Sequence, residues 1–199
     1  MTNVASALPS PIVLPHNQTT AQQVLDCLQS GQYCTLLGPR FSGKTAILRY
    51  VQSVLAHDPM RICVYISLSD VDIATQAAFF TSLAQAVAKH ADLDSPTIAT
   101  AADAINSPTF RAFLETIIAA TGRDMALILD DLQLAPGDLL RALLSSLRAV
   151  YMEQYHDEKH AGGRLTVAAA GALSLATHAV REASPVSYTH LTLQTNREV

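Results

Sequence analysis

Four runs of this chain are apolar at nearly every position: Tyr33 to Leu37, Arg61 to Leu68, Met125 to Leu129 and Arg164 to Ala170. Continuous rather than alternating hydrophobicity is what a strand needs when both faces of its sheet are covered. The segments between them have apolar residues every three or four positions, the period of a helix with one buried side. Thr20-Ala21-Gln22-Gln23 reads as a capping box that opens a helix closed by Gly31. After residue 45, Ile47, Val51 and Val54-Leu55 share one stripe, and that helix ends near Asp58-Pro59. A third helix from Asp72 to His90 places Ile73, Ala77, Phe80, Leu83-Ala84 and Val87 on one face. Residues 92 to 106 are polar and Ala-rich, a loop with a weak helical turn. Ser107 then serves as N-cap with Pro108 at the first helical position, opening a helix that buries Phe110, Phe113-Leu114 and Ile117-Ile118 and stops at Gly122. Pro136-Gly137 turns into a long helix carrying Leu139-Leu140, Leu143-Leu144, Leu147 and Val150-Tyr151, and residues 173 to 181 form a short one. Strands alternating with helices predict an α/β fold, a three-layer sandwich around a mostly parallel sheet. Residues 1 to 18, with Pro9, Pro11 and Pro15, form an extended arm, and 19 to 185 form the domain.

Composition permits one folded domain and excludes several classes. The chain has 199 residues, 49% hydrophobic and only 15% charged, which excludes a disordered segment. No apolar run approaches the ~18 residues of a membrane span. Met1 to Ser10 contains no basic residue, so no signal or transit peptide is expected there. Cys27, Cys34 and Cys63 are odd in number and far apart, as in a cytoplasmic protein with reduced thiols. A net charge of −4 disfavours nucleic acid as a partner of this segment.

Chemistry enters at Gly38-Pro39-Arg40-Phe41-Ser42-Gly43-Lys44-Thr45, which fits G-x-x-x-x-G-K-[ST] at every fixed position. A strand precedes it and a helix follows, the context this P-loop, or Walker A, motif requires. Residues 38 to 45 with Ala46 are the expected nucleotide-binding set, their backbone N–H groups facing phosphate at a helix N-terminus. Lys44 would reach the β- and γ-phosphate oxygens and the Thr45 hydroxyl would ligate Mg²⁺. Leu127-Ile128-Leu129-Asp130-Asp131 supplies the acidic half, a Walker B pattern. Asp130 would accept from Mg²⁺-bound water, and Asp131 is the candidate to orient or deprotonate the attacking water. The strand around Ile62 to Ile66, between the two motifs in sequence, points to the subdivision of P-loop proteins with a strand separating the Walker A and Walker B strands.

The run from Gly31 to Thr45, then Leu127 to Leu132, a helix ending Leu147-Arg148-Ala149-Val150-Tyr151, and Arg164 to Ala176 resemble the bacterial AAA-like domain of the signalling P-loop ATPases called STAND. The similarity covers about residues 10 to 185. It implies a five-stranded parallel sheet with the P-loop strand central and the Walker B strand two places away. It also implies an N-terminal position in a longer protein that carries an effector; a nucleotide-dependent homo-oligomer stays open. Many ATPases of this kind have Glu where Asp131 stands, and the shorter side chain implies slower turnover. The chain departs from the pattern at Ala170-Gly171, where a polar sensor is usual and only Ser174 is near, and at the arginine finger, for which Arg181 is the candidate.

Other constellations carry less. His156 and His160 have the i, i+4 spacing of a zinc pair, but Asp157 stands where a metalloprotease needs Glu, and Gly162-Gly163 ends the segment. Phe79-Phe80, Phe110 and Phe113 have core rather than base-stacking spacing. Arg40 and Arg49 flank the loop. The expected function is Mg²⁺-ATP binding with slow hydrolysis as a conformational switch; a helper ATPase of DNA transactions and an oligomerisation scaffold without turnover stay open. Val186 to Val199 resembles translated sequencing-adapter read-through, a non-native tail. Its polar residues at every second position argue against a fifth strand, so the sheet is expected to stop short, with one edge of the P-loop strand open and little stability lost on deleting the tail.

Overall fold

A computed structural model of the chain describes residues 17–91, 101–156, 163–172 and 188–193. The apolar runs form β1 (Tyr33–Leu37), β2 (Arg61–Ser67), β3 (Asp124–Asp130) and β4 (Leu165–Gly171), and a fifth strand, β5, spans Tyr188–Thr192. All pairings are parallel, in the order β2-β3-β4-β1-β5. The Walker B strand β3 thus lies two places from β1, with β4 between them. The helices are α1 (Gln18–Gln29), α2 (Lys44–Leu55), α3 (Gln76–His90), α4 (Ser107–Thr121) and α5 (Gly137–His156).

Period-two geometry divides the strand side chains between two cores. Cys34, Leu36, Tyr65, Ala126, Ile128, Ala168 and Ala170 pack with α1 and α2 on one face. Tyr33, Val64, Ile66, Leu127, Leu129, Val167 and Ala169 pack with α3, α4 and α5 on the other. The sandwich therefore has three layers, as the apolar pattern requires. Register aligns Leu37 with Gly171 and Ser67 with Asp130, so the carboxyl ends of β1, β2, β3 and β4 finish at one rim. In an open parallel sheet that rim is where ligands bind. None of the three cysteines, all among the described residues, forms a disulfide. Burial pushes the Cys63 thiol up to about 12, and a hydrogen bond with Cys27, with burial behind it, raises Cys34; both sit in the α1–α2 core.

Helix starts differ from the sequence expectations wherever another group competes for the cap. α1 begins at Gln18 after Asn17, with no side-chain cap, so the box at Thr20 and Gln23 does not open it. α3 begins at Gln76, capped by Thr75, whose side chain accepts from Ala78 N–H. Ile73 precedes that helix and is exposed, and Phe79 joins the buried face in its place. Asn106 rather than Ser107 caps α4, forming a capping box with Thr109. The Ser107 hydroxyl instead meets Ser146 Oγ of α5 at 2.5 Å. On α2 the buried stripe is Ile47, Leu48, Val51 and Leu55, and Val54 faces outward. The turn expected in the Ala-rich stretch is Ala101–Asp103. The short helix expected over 173 to 181, the arm before residue 17 and His160 lie outside the described residues.

The open edge expected on β1 is corrected. Tyr33 to Leu37 pair in register with Tyr188 to Thr192, and Leu193 N–H donates to the Leu37 carbonyl at 2.8 Å. Leu193 is 5% exposed and packs into the α1–α2 core beside Leu191. A strand between two others must be apolar on both faces, but an edge strand need cover only one, so polar alternate positions do not exclude it. Deleting residues 186 to 199 should consequently lower stability by about 2–4 kcal/mol, the scale of one buried Leu and a strand's outer hydrogen bonds. Urea unfolding of the truncated and full chains measures this; equal midpoints would show that β5 contributes nothing.

Candidate nucleotide-binding site

The loop from Gly38 to Gly43 joins the end of β1 to the start of α2, and its glycines sit where side chains do not fit. A Cβ on Gly38 would lie 2.9 Å from Ser42 Oγ and 3.0 Å from Leu193 Cβ. Gly43 has φ +88°, and a Cβ there would approach Asn17 Nδ2 to 2.5 Å. Asn17 is 4% exposed and donates to the Ser42 carbonyl at 3.1 Å, so the residue before α1 braces the loop from behind. Ser42 Oγ donates to the Pro39 carbonyl at 2.9 Å. Lys44 Nζ reaches back over the loop to the carbonyls of Gly38 and Pro39, at 3.0 and 2.6 Å. α2 then starts at Lys44 with no side-chain cap, so the N–H groups of its first turn point towards the space enclosed by the loop.

Phe41 departs from the loop's otherwise permissive chemistry. It has φ +63° and is fully exposed, so a bulky residue holds the left-handed region with no packing to offset the strain. Phe41→Gly should raise stability by about 0.5–1 kcal/mol, the strain relieved exceeding the backbone entropy that glycine adds to the unfolded chain. A lower melting temperature for Phe41→Gly would show that Phe41 is unstrained there.

Asp130 ends β3 at 1% exposure, and each carboxylate oxygen accepts one hydrogen bond. Oδ2 accepts from Tyr65 Oη at 2.8 Å, and Oδ1 from the Asp131 N–H at 2.8 Å. Asp131 takes φ +58°, turning the chain out of the strand into a short 3-10 turn, Leu132–Leu134. Its carboxylate accepts from Ser67 Oγ at 3.2 Å and from Gln133 Nε2 at 2.8 Å. The Gln133 amide oxygen in turn accepts the Ala172 N–H at 3.2 Å, just past the end of β4. Burial lowers the Lys44 pKa, and the Asp130 and Asp131 carboxylates oppose that shift, so both acids act electrostatically on the loop lysine. Burial raises the Tyr65 phenol, with Asp130 reinforcing it.

The rim therefore gathers Gly38 to Ala46, Asp130 and Asp131. Thr45 is exposed in the first turn of α2 and Arg40 is exposed on the loop. Arg49 lies over the ring of Tyr65, 3.5 Å from its centroid. Ser174 and Arg181 lie outside the described residues. Asn17, Tyr65, Ser67 and Gln133 were not singled out from the sequence. Of these, Tyr65 carried a local sign that it needed a partner, a phenol between Val64 and Ile66 in a largely buried strand.

The donor set suits Mg²⁺. That ion binds through one or two carboxylates together with substrate phosphates rather than in an all-protein cage. Among the described residues no group of three or more His, Cys, Asp or Glu could hold a metal alone. Thr45 offers a hydroxyl, and Asp130 keeps acceptor capacity on both oxygens after its two hydrogen bonds. No helix among the described residues is long and apolar enough to cross a membrane.

No protein-family model matches the chain, and no curated protein matches it. Solved structures do. Cdc6p from Pyrobaculum aerophilum superimposes with a TM-score of 0.63 at 20% identity, over 94% of this chain and 48% of that one. The Aeropyrum pernix ORC2 protein in its ADPNP–ADP complexes gives 0.61 at 13% identity, over 92% and 48%. Drosophila ORC bound to DNA gives 0.52 at 14% identity, over 89% and 30%. This chain thus spans half or less of the length of each. What the likeness establishes is the fold: a mostly parallel five-stranded α/β P-loop domain of the Cdc6 and ORC type.

Proposed function

We propose that this chain binds Mg²⁺-ATP at the loop of Gly38 to Ala46 and hydrolyses it slowly, with occupancy acting as a conformational switch. The observation that carries this is the convergence at one rim of the uncapped α2 N-terminus, the Lys44 ammonium and the Asp130–Asp131 pair. Backbone N–H groups of the loop and of α2 bind phosphate oxygens, and Lys44 exchanges the Gly38 and Pro39 carbonyls for them. Thr45 and Asp130 would hold Mg²⁺, which would supply neutralisation of the charge that develops on the phosphates during transfer. Asp131 orients the attacking water and accepts its proton. Each of its oxygens already accepts one bond, from Ser67 or Gln133, and keeps a second acceptor site for water, and the side chain's reach is one methylene shorter than that of Glu, consistent with slow turnover. Gln133 bonds both Asp131 and the Ala172 N–H, so movement of Asp131 towards the phosphates would be passed to the end of β4, and that link is the switch.

The likeness to nucleotide-bound ORC2 supports the ATP reading, and the resemblance to STAND domains supports a signalling role with an effector elsewhere in a longer protein. Three cysteines without a disulfide suit the reducing cytoplasm. A second reading, a helper ATPase of DNA transactions, is favoured by the likeness to ORC bound to DNA and opposed by the net charge of −4. The likeness weighs against the expectation that nucleic acid is no partner. Salt-dependent retention of duplex DNA separates these two. Phosphate release from ATP, strictly dependent on Mg²⁺, tests the main reading; nucleotide binding with no release would favour a scaffold without turnover.

A further inference from the structure

We infer that Tyr65 is a positioning residue for the magnesium-holding carboxylate of Asp130, and that Arg49 holds Tyr65 in that role. This rests on the nucleotide reading above and deepens it. Tyr65 is 4% exposed, on the sheet face that packs against α2. A buried phenol needs a hydrogen-bond partner, and a backbone carbonyl would serve for stability alone. Here the partner is the one buried acid at the rim, with Tyr65 Oη donating to Asp130 Oδ2 at 2.8 Å.

The Asp131 N–H donates to the other oxygen at 2.8 Å. Two donors, one on each oxygen, fix the rotation of the carboxylate, leaving each oxygen acceptor capacity in a set direction. Asp130 can then meet Mg²⁺ without reorganising, which is how the hydrogen-bond partners of a metal-holding group tune the metal. Arg49 closes the arrangement. It follows Thr45 by four residues on α2, hence on the same helix face, and its guanidinium carbon sits 3.5 Å from the Tyr65 ring centroid. Arg49, Tyr65 and Asp130 therefore form one connected unit in which the P-loop helix and the acidic strand are joined through a tyrosine ring.

Tyr65→Phe removes the hydroxyl and keeps the ring that Arg49 covers. The affinity of a mant-labelled ATP should be measured against the full chain in EDTA and across a Mg²⁺ titration. In EDTA the variant should bind within about two-fold of wild type, because the loop and Lys44 are untouched. The Mg²⁺ concentration for half-maximal tightening should rise about ten-fold, the lower end of effects seen when a metal ligand loses its hydrogen-bond partner. Arg49→Gln, a second variant that leaves the hydroxyl in place, should shift the Mg²⁺ midpoint in the same direction and less. An unchanged Mg²⁺ midpoint in Tyr65→Phe would overturn the inference. So would equal weakening with and without Mg²⁺ alongside a lower melting temperature, which would assign Tyr65 to the fold alone. Wild-type protein that bound no nucleotide would overturn the underlying reading as well, so the two failures are distinguishable.

Discussion

Mg²⁺-ATP should stabilise the wild-type protein against heat and leave the Lys44→Ala protein unmoved. On the proposed reading Lys44 contributes charge to phosphate and little to the core. It is half-buried, and its ammonium donates to the carbonyls of Gly38 and Pro39. Removing it leaves α2 docked through Ile47, Leu48, Val51 and Leu55, all buried. At ATP a hundred times above the dissociation constant, binding is worth about 2.7 kcal/mol. For a domain of this size that is a rise in melting temperature of roughly 5–10 °C. Lys44→Ala should melt within about 2 °C of ligand-free wild type and show none of this rise. Survival of the full shift in the variant would place the nucleotide away from the loop.

Asp131→Asn should separate binding from turnover. The amide keeps the size of the side chain and can still accept from Ser67 or Gln133. Asp130 retains both hydrogen bonds for its metal role. Nucleotide affinity is therefore expected to hold, while phosphate release falls about ten-fold or more, the usual scale for losing a general base. Unchanged release would move the base to another residue or to a neighbouring subunit.

The parts of the fold that could be read from the sequence are those with a local cause. β1 to β4 are apolar at successive positions because two helix layers cover them, and that burden is visible without knowing the partners. The loop was legible for a related reason: Gly38 and Gly43 are demanded by close contacts, and Lys44 and Thr45 follow them at a fixed spacing where the helix begins. Asp130 and Asp131 were legible as the polar end of an apolar strand.

Long-range pairing hid the rest. Tyr65 and Asp130 are 65 residues apart, and Gln133 and Ala172 are 39 apart, so nothing in either neighbourhood announces the bond. Caps were misplaced where a tertiary partner outbid the local one. Ser107 was free to turn to Ser146 because the adjacent Asn106 took the cap, and Asn17 spends its side chain on the loop rather than on α1. β5 is hidden from the sequence because the polarity rule for a strand covered on both faces does not hold at an edge, where Leu191 and Leu193 meet the core.

Titration of ATP into the wild-type chain by calorimetry, with Mg²⁺ and then with EDTA, bears most directly on the central claim that the rim of Gly38, Lys44, Thr45 and Asp130 is a Mg²⁺-nucleotide site. Saturable one-site binding that tightens with Mg²⁺, and that Lys44→Ala abolishes, is the expected result. No saturable heat up to millimolar ATP, or binding that Lys44→Ala leaves intact, would contradict it.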